Sequence, residues 1–76
     1  MDKHLTTAEA WEDFYTWMRG RKKQGDFARI PSDVQEANYA YLGRRTSKLG
    51  DTRIEHLLSK YAPDRYEFKS VVILHE

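Results

Sequence analysis

The side chains of this chain best suited to chemistry are cations, and they fall in two clusters. Arg19, Arg21, Lys22 and Lys23 form the first; Arg44, Arg45 and Lys48 form the second, with Arg53 close by in sequence. Guanidinium groups grip phosphate oxygens in a bidentate fork, and ammonium groups meet them as compact point charges. If the two segments converge, they present a surface that contacts a phosphate backbone. A cation near a helix C-terminus also meets the negative end of the helix dipole, an interaction of about 0.3–1 kcal/mol that needs no function. Three or four in a row exceed what capping requires. The overall balance is 13 Lys and Arg against 12 Asp and Glu, a net charge of +1, so any attraction for a polyanion depends on local placement.

Other chemistries lack their residues. The glycines at 20, 25, 43 and 50 are too far apart to cradle a phosphate in a glycine-rich loop. His4, His56 and His75 have no metal-ligand spacing, and without cysteine there is neither a thiolate ligand nor a sulfur nucleophile. No serine sits in a nucleophile elbow. Glu9, Glu12 and Asp13 imitate a catalytic carboxylate pair, but they lie on the polar face of a helix, where solvation and the dipole account for them. No catalytic residue, metal site or cofactor is expected, and the chain is expected not to be an enzyme.

A second reading rests on aromatic side chains. The stretch from Trp11 to Met18, WEDFYTWM, holds both tryptophans. On a helical wheel Ala8, Trp11, Phe14, Tyr15 and Met18 share one arc, the width of a core-facing stripe, whereas Trp17 falls on its shoulder. Tyr39 points away from the apolar side of its own helix. Exposed aromatics anchor protein interfaces, so Trp17 and Tyr39 are candidates for docking on a protein partner.

These residues must be positioned by a few short elements. A first helix is capped by a Thr6–Glu9 capping box and closed by Gly20 as the residue after its end. The connection from Gly20 to Pro31 carries the first basic cluster and, at Phe27–Ile30, a segment able to form a short strand. A second helix opens at a Ser32–Gln35 capping box, buries Val34, Ala37, Tyr41 and Leu42 with Asn38 in the same arc, and ends near Gly43. The basic connector to Gly50 follows. A third helix starts at Asp51 or Thr52, with Thr52–Glu55 as another capping box. It packs through Ile54, Leu57, Leu58 and Tyr61, and stops at Pro63. The second and third helices suggest a helix-turn-helix, but the connector is long for that turn, and the outward face of the third helix mixes Arg53, His56 and Lys60 with Glu55 and Ser59.

The C-terminal segment YEFKSVVIL alternates as a strand, with Tyr66, Phe68, Val72 and Leu74 on one side. A lone strand needs a ladder. Pairing with Phe27–Ile30 is the leading expectation; the alternatives are its copy in a homodimer, or an edge offered to a protein partner. The fold expected is therefore α+β and mostly helical: three helices with a minimal two-stranded ribbon, in the order α-β-α-α-β. At 76 residues it forms one small domain, residues 1–76.

No apolar run is long enough to span a bilayer, so no membrane partner is expected. The opening MDKHLTT lacks the apolar core of a secretory signal, and cysteine is absent, so a cytoplasmic location is expected. Function is expected to be regulatory or accessory binding without catalysis, directed first to nucleic acid through the two basic loops. A protein-binding adaptor or inhibitor, using Trp17, Tyr39 and the edge of the C-terminal strand, is the alternative.

Overall fold

A computed structural model describes residues 2–45 and 51–75. The chain opens with a strand, β1 (Asp2–Leu5), followed by α1 (Thr7–Lys23) and α2 (Ser32–Ala40), which widens into a π turn at Tyr41–Arg45. Then come α3 (Asp51–Tyr61), β2 (Tyr66–Phe68) and β3 (Val72–His75). The α+β class and the three helices agree with the sequence, but the strands do not. The order is β-α-α-α-β-β, and the sheet is three-stranded and antiparallel, β1-β3-β2.

Two corrections follow from that sheet. Phe27–Ile30 is not a strand but irregular chain, with Ile30 turned into the core and Phe27 packed against it. The C-terminal segment is not one strand but a hairpin, Tyr66 opposite Leu74 and Phe68 opposite Val72, turning at Lys69–Val71. The second ladder of β3 comes from β1, with Leu5 opposite Val72 and Asp2 opposite His75. β3 is thus the central strand, flanked on both sides, and the outer edges of the sheet belong to β1 and β2. Both edges of β3 are therefore taken within the chain, whereas β2, the first part of the expected C-terminal strand, keeps an outer edge.

α1 begins as its sequence dictates. The Thr6 hydroxyl accepts from the Glu9 amide at 3.1 Å, and the Glu9 carboxylate accepts from the Thr6 amide at 2.8 Å. Hydrogen bonding to Thr6, first to its amide and then to its side chain, holds the Glu9 carboxyl below its usual range. The end differs from expectation. Gly20 is an interior residue, and the helix runs one more turn to a Schellman motif. There the Gly25 amide donates to Lys22 O at 3.0 Å and the Asp26 amide to Arg21 O at 3.1 Å. Gly25 carries the left-handed φ of +85° that this motif requires. Lys22 and Lys23 therefore belong to the last turn of α1 and not to a mobile loop.

The other two expected capping boxes are not formed. Pro31 stands at the N-cap of α2 without a side-chain bond, and α3 starts at Asp51, which puts Thr52 inside its first turn. At the start of α2 the role passes to Asp33, whose Oδ1 accepts from the Val34 amide at 2.9 Å.

The core gathers Trp11, Phe14 and Met18 of α1, Val34 and Ala37 of α2, Leu57 and Leu58 of α3, and Val72 and Leu74 of β3. Ala8, placed on the apolar arc by the wheel, is exposed; Ala10 is buried instead. Leu42, expected on the buried side of α2, is 67% exposed because the π turn begins one residue before it and rotates it outward. Asn38 lies in the core and accepts from the Trp11 indole at 3.2 Å, so the one buried polar side chain among the described residues is satisfied.

Tyrosine hydroxyls tie the periphery together. Tyr66 donates to Asp13 Oδ2 at 2.6 Å, Tyr61 to Asp33 Oδ1 at 2.7 Å, and Tyr41 to Glu12. Burial raises the Tyr66 phenol far above its usual range, and the bond to Asp13 adds to the shift. Asp13 also takes Arg65 at 3.3 Å. The acidic face of α1, expected to be solvated, is in part a structural face that clamps β2 and the π turn. Tyr66→Phe removes a bond to a charged acceptor, so it is expected to cost about 1.5–3 kcal/mol in urea denaturation; an unchanged midpoint would show the clamp to be idle.

On the outer face of the sheet one imidazole spans all three strands. His75 Nδ1 lies 3.0 Å from Asp2 Oδ1 on β1, and Nε2 lies 3.3 Å from Glu67 Oε1 on β2. With a carboxylate at each nitrogen the doubly protonated ring is favoured, and the pKa rises above its ordinary 6.5, chiefly through the bond to Asp2. A raised folded-state pKa stabilises fully below the unfolded value and is lost as pH climbs through the folded value. The melting temperature of the chain is therefore expected to fall as pH rises above 6.5. In the Asp2→Asn, Glu67→Gln double variant that slope should flatten.

Candidate functional site

Three open depressions adjoin through shared lining residues, the first and second through Lys22, Ile30 and Gln35, the second and third through Tyr39. The first lies on α1, walled by Tyr15, Arg19, Lys22 and Lys23, with Ile30 and Gln35 on its far side. The second shares Lys22, Ile30 and Gln35, adds Arg29 and the α2 start at Pro31 and Ser32, and ends at Tyr39. The third continues from Tyr39 past Glu36, Ala40 and Gly43 to Arg53 at the start of α3. Together they make a groove with cations at both ends and a tyrosine between them.

Local structure explains why the groove exists. Tyr15, Arg19 and Lys22 recur at helical spacing, so one stripe of α1 lines it. The added turn before Gly25 extends that stripe to Lys23. The irregular segment after α1 drops Ile30 into the core, which leaves Arg29 exposed on the rim.

The basic residues expected from the sequence are sorted by this geometry. Arg19, Lys22, Lys23 and Arg53 line the groove. Arg21 does not. It points to the opposite side of α1, pairs with Asp26 at 3.2 Å, and lies 4.9 Å from the Trp17 ring centre. The backbone of Arg44 and Arg45 forms part of the π turn, one residue beyond Gly43 on the groove wall. Their side chains, and the whole of Lys48, lie outside the described residues.

The two aromatic candidates separate as well. Trp17 is half-buried, packed on Phe14 at 6.2 Å between ring centres, with the guanidinium groups of Arg21 and Arg65 within 5.4 Å of its ring. It borders a shallower depression with Pro63, Asp64 and His75. Tyr39 is 64% exposed, in the middle of the groove. The other four tyrosines engage Gln35, Glu12, Asp33 and Asp13 through their hydroxyls. Tyr39 stands apart from that scheme.

Arg29 was not among the sequence candidates, being a single cation outside both clusters; its neighbour Ile30, apolar and next to a proline, was the available signal. The outward face of α3 is less available for reading bases than its sequence suggests. Lys60 is drawn to Asp33 at 2.9 Å, which raises the ammonium pKa. The Asp33 carboxyl is pushed up by burial but held lower overall by its bonds from Lys60, Tyr61 and the Val34 amide.

Comparison of the chain with protein-family models, with curated proteins and with solved structures returned no match. Among the described residues, no helix is long and apolar enough to cross a membrane.

Proposed function

We propose that the chain is a small accessory module that binds nucleic acid without catalysis, using the groove between α1, α2 and the start of α3. The observation that carries this reading is continuity. Arg19, Lys22, Lys23, Arg29 and Arg53, from three separate parts of the sequence, share walls of one surface. Five of the chain's 13 Lys and Arg residues line these depressions, and together they offer a local field to a polyanion on a chain of near-neutral net charge. In sequence, Arg44, Arg45 and Lys48 follow Gly43.

Titration of labelled DNA and RNA of mixed sequence, single- and double-stranded, tests it. Binding is expected at low salt and should weaken steeply toward moderate salt, as counterion release requires. Absence of any shift at low salt would end the proposal.

A protein partner is the second reading, favoured by the exposure of Tyr39 and Leu42 on adjoining turns, 64% and 67%. It predicts affinity that hardly responds to salt.

A further inference from the structure

We infer that the occupant of this groove is single-stranded nucleic acid, with one base stacked on Tyr39 and the phosphates on either side held by the flanking cations. The inference rests on the proposed nucleic-acid reading and narrows it to one form of the polymer. Tyr39 is 64% exposed and sits where two depressions meet, with Lys22 and Arg29 on one side and Arg53 on the other. A duplex keeps its bases stacked inside, so an aromatic ring among phosphate-binding cations gives it nothing. An unpaired strand turns bases outward beside its phosphates, and an alternation of cations with an aromatic platform matches it.

Two further observations point the same way. The outward face of α3, the helix a helix-turn-helix would place in a major groove, is mixed in charge: Lys60 is paired with Asp33, and Glu55 is exposed beside Arg53 and His56. Gln35 and Glu36 lie one turn before Tyr39 on α2, and each lines a depression with it. An amide and a carboxylate there are suited to the exposed edge of a stacked base, which a paired base would hide.

Fluorescence anisotropy at low salt, with labelled oligo(dT), oligo(rU) and a mixed-sequence duplex of the same length, tests this. Tyr39→Leu and Tyr39→Trp are compared with the wild-type chain, their folding checked by circular dichroism. Single strands of either sugar should bind at least fivefold tighter than duplex. Tyr39→Leu should lose roughly tenfold for single strands with an unchanged salt slope, and Tyr39→Trp should retain or improve binding. Equal affinity for duplex, together with a silent Tyr39→Leu, would overturn the single-strand inference and leave the broader reading standing. No binding to any of the three would remove both.

Discussion

Trp11→Ala is expected to destabilise the domain by about 3–5 kcal/mol, enough to threaten the fold of so small a domain. Trp11 has no exposed surface and lies 5.4 Å from the Phe14 ring and 6.4 Å from Tyr15. Removing its indole empties the centre of the helical layer. It also strips Asn38, only 8% exposed, of the donor that satisfies its side-chain oxygen. Small domains have only about 5–15 kcal/mol in hand, so the loss is a large fraction of the total. Trp11→Phe separates the two contributions, because it keeps apolar volume and loses the hydrogen bond. Urea unfolding followed by circular dichroism should place it between wild type and Trp11→Ala. Trp17→Ala, at a half-buried position, should cost less than Trp11→Ala. Equal losses at the two positions would mean that Trp17 belongs to the core as fully as Trp11 does.

The second large effect is on binding. The Lys22→Ala, Arg29→Ala, Arg53→Ala triple variant should lose most of its affinity for a single strand while its melting temperature hardly moves. All three side chains are exposed, so folding does not depend on them. Counterion release gives a slope of about −0.7 per phosphate contact for single strands, so three contacts removed should reduce the log–log salt slope by about 2. At about 50 mM salt each contact then contributes roughly eightfold, and three together several hundredfold. Arg21→Ala is the matched control. It removes a cation from the same cluster, but from the opposite side of α1, and should leave the slope unchanged. If Arg21→Ala weakened binding as much as the triple variant, the attraction would be diffuse and the groove would have no special part in it.

The sequence was most informative where local chemistry decides structure. The Thr6–Glu9 box, the aromatic stripe of α1 and the Ile54–Leu58 stripe of α3 are fixed by neighbours three or four residues apart, and each is found in the fold. The strands were harder for a physical reason. β1, DKHL, has one apolar residue and no alternation, and it becomes a strand because β3 supplies a ladder from the far end of the chain. The hairpin escaped because Tyr66 pairs with Leu74 and Phe68 with Val72. Turning the chain back at Lys69–Val71 leaves these residues on one face, as a single extended strand would, so the alternation cannot distinguish the two. Gly20 was the expected helix stop, but the left-handed φ falls at Gly25, one turn later, and the helix runs on to it.

The groove was legible in its parts and not in its assembly. The cations of α1 and Arg53 stand out in the sequence, as does Tyr39 on the outer face of α2. Their convergence depends on how α1, α2 and α3 pack, a property of contacts between distant residues. Arg29 joined the site because Ile30 turned inward beside it. Arg21 left it because its position on the helix, one turn after Trp17, directs it to the other side.

The central claim is that a nucleic-acid strand lies along this groove. Backbone amide shifts of the labelled chain, recorded as oligo(dT) is added, test it most directly. Perturbations are expected at Arg19, Lys22 and Lys23, at Arg29 and Ile30, along Gln35–Gly43, and at Arg53. Shifts centred on Trp17, Arg65 and His75, or on the outer face of the sheet, would contradict the account.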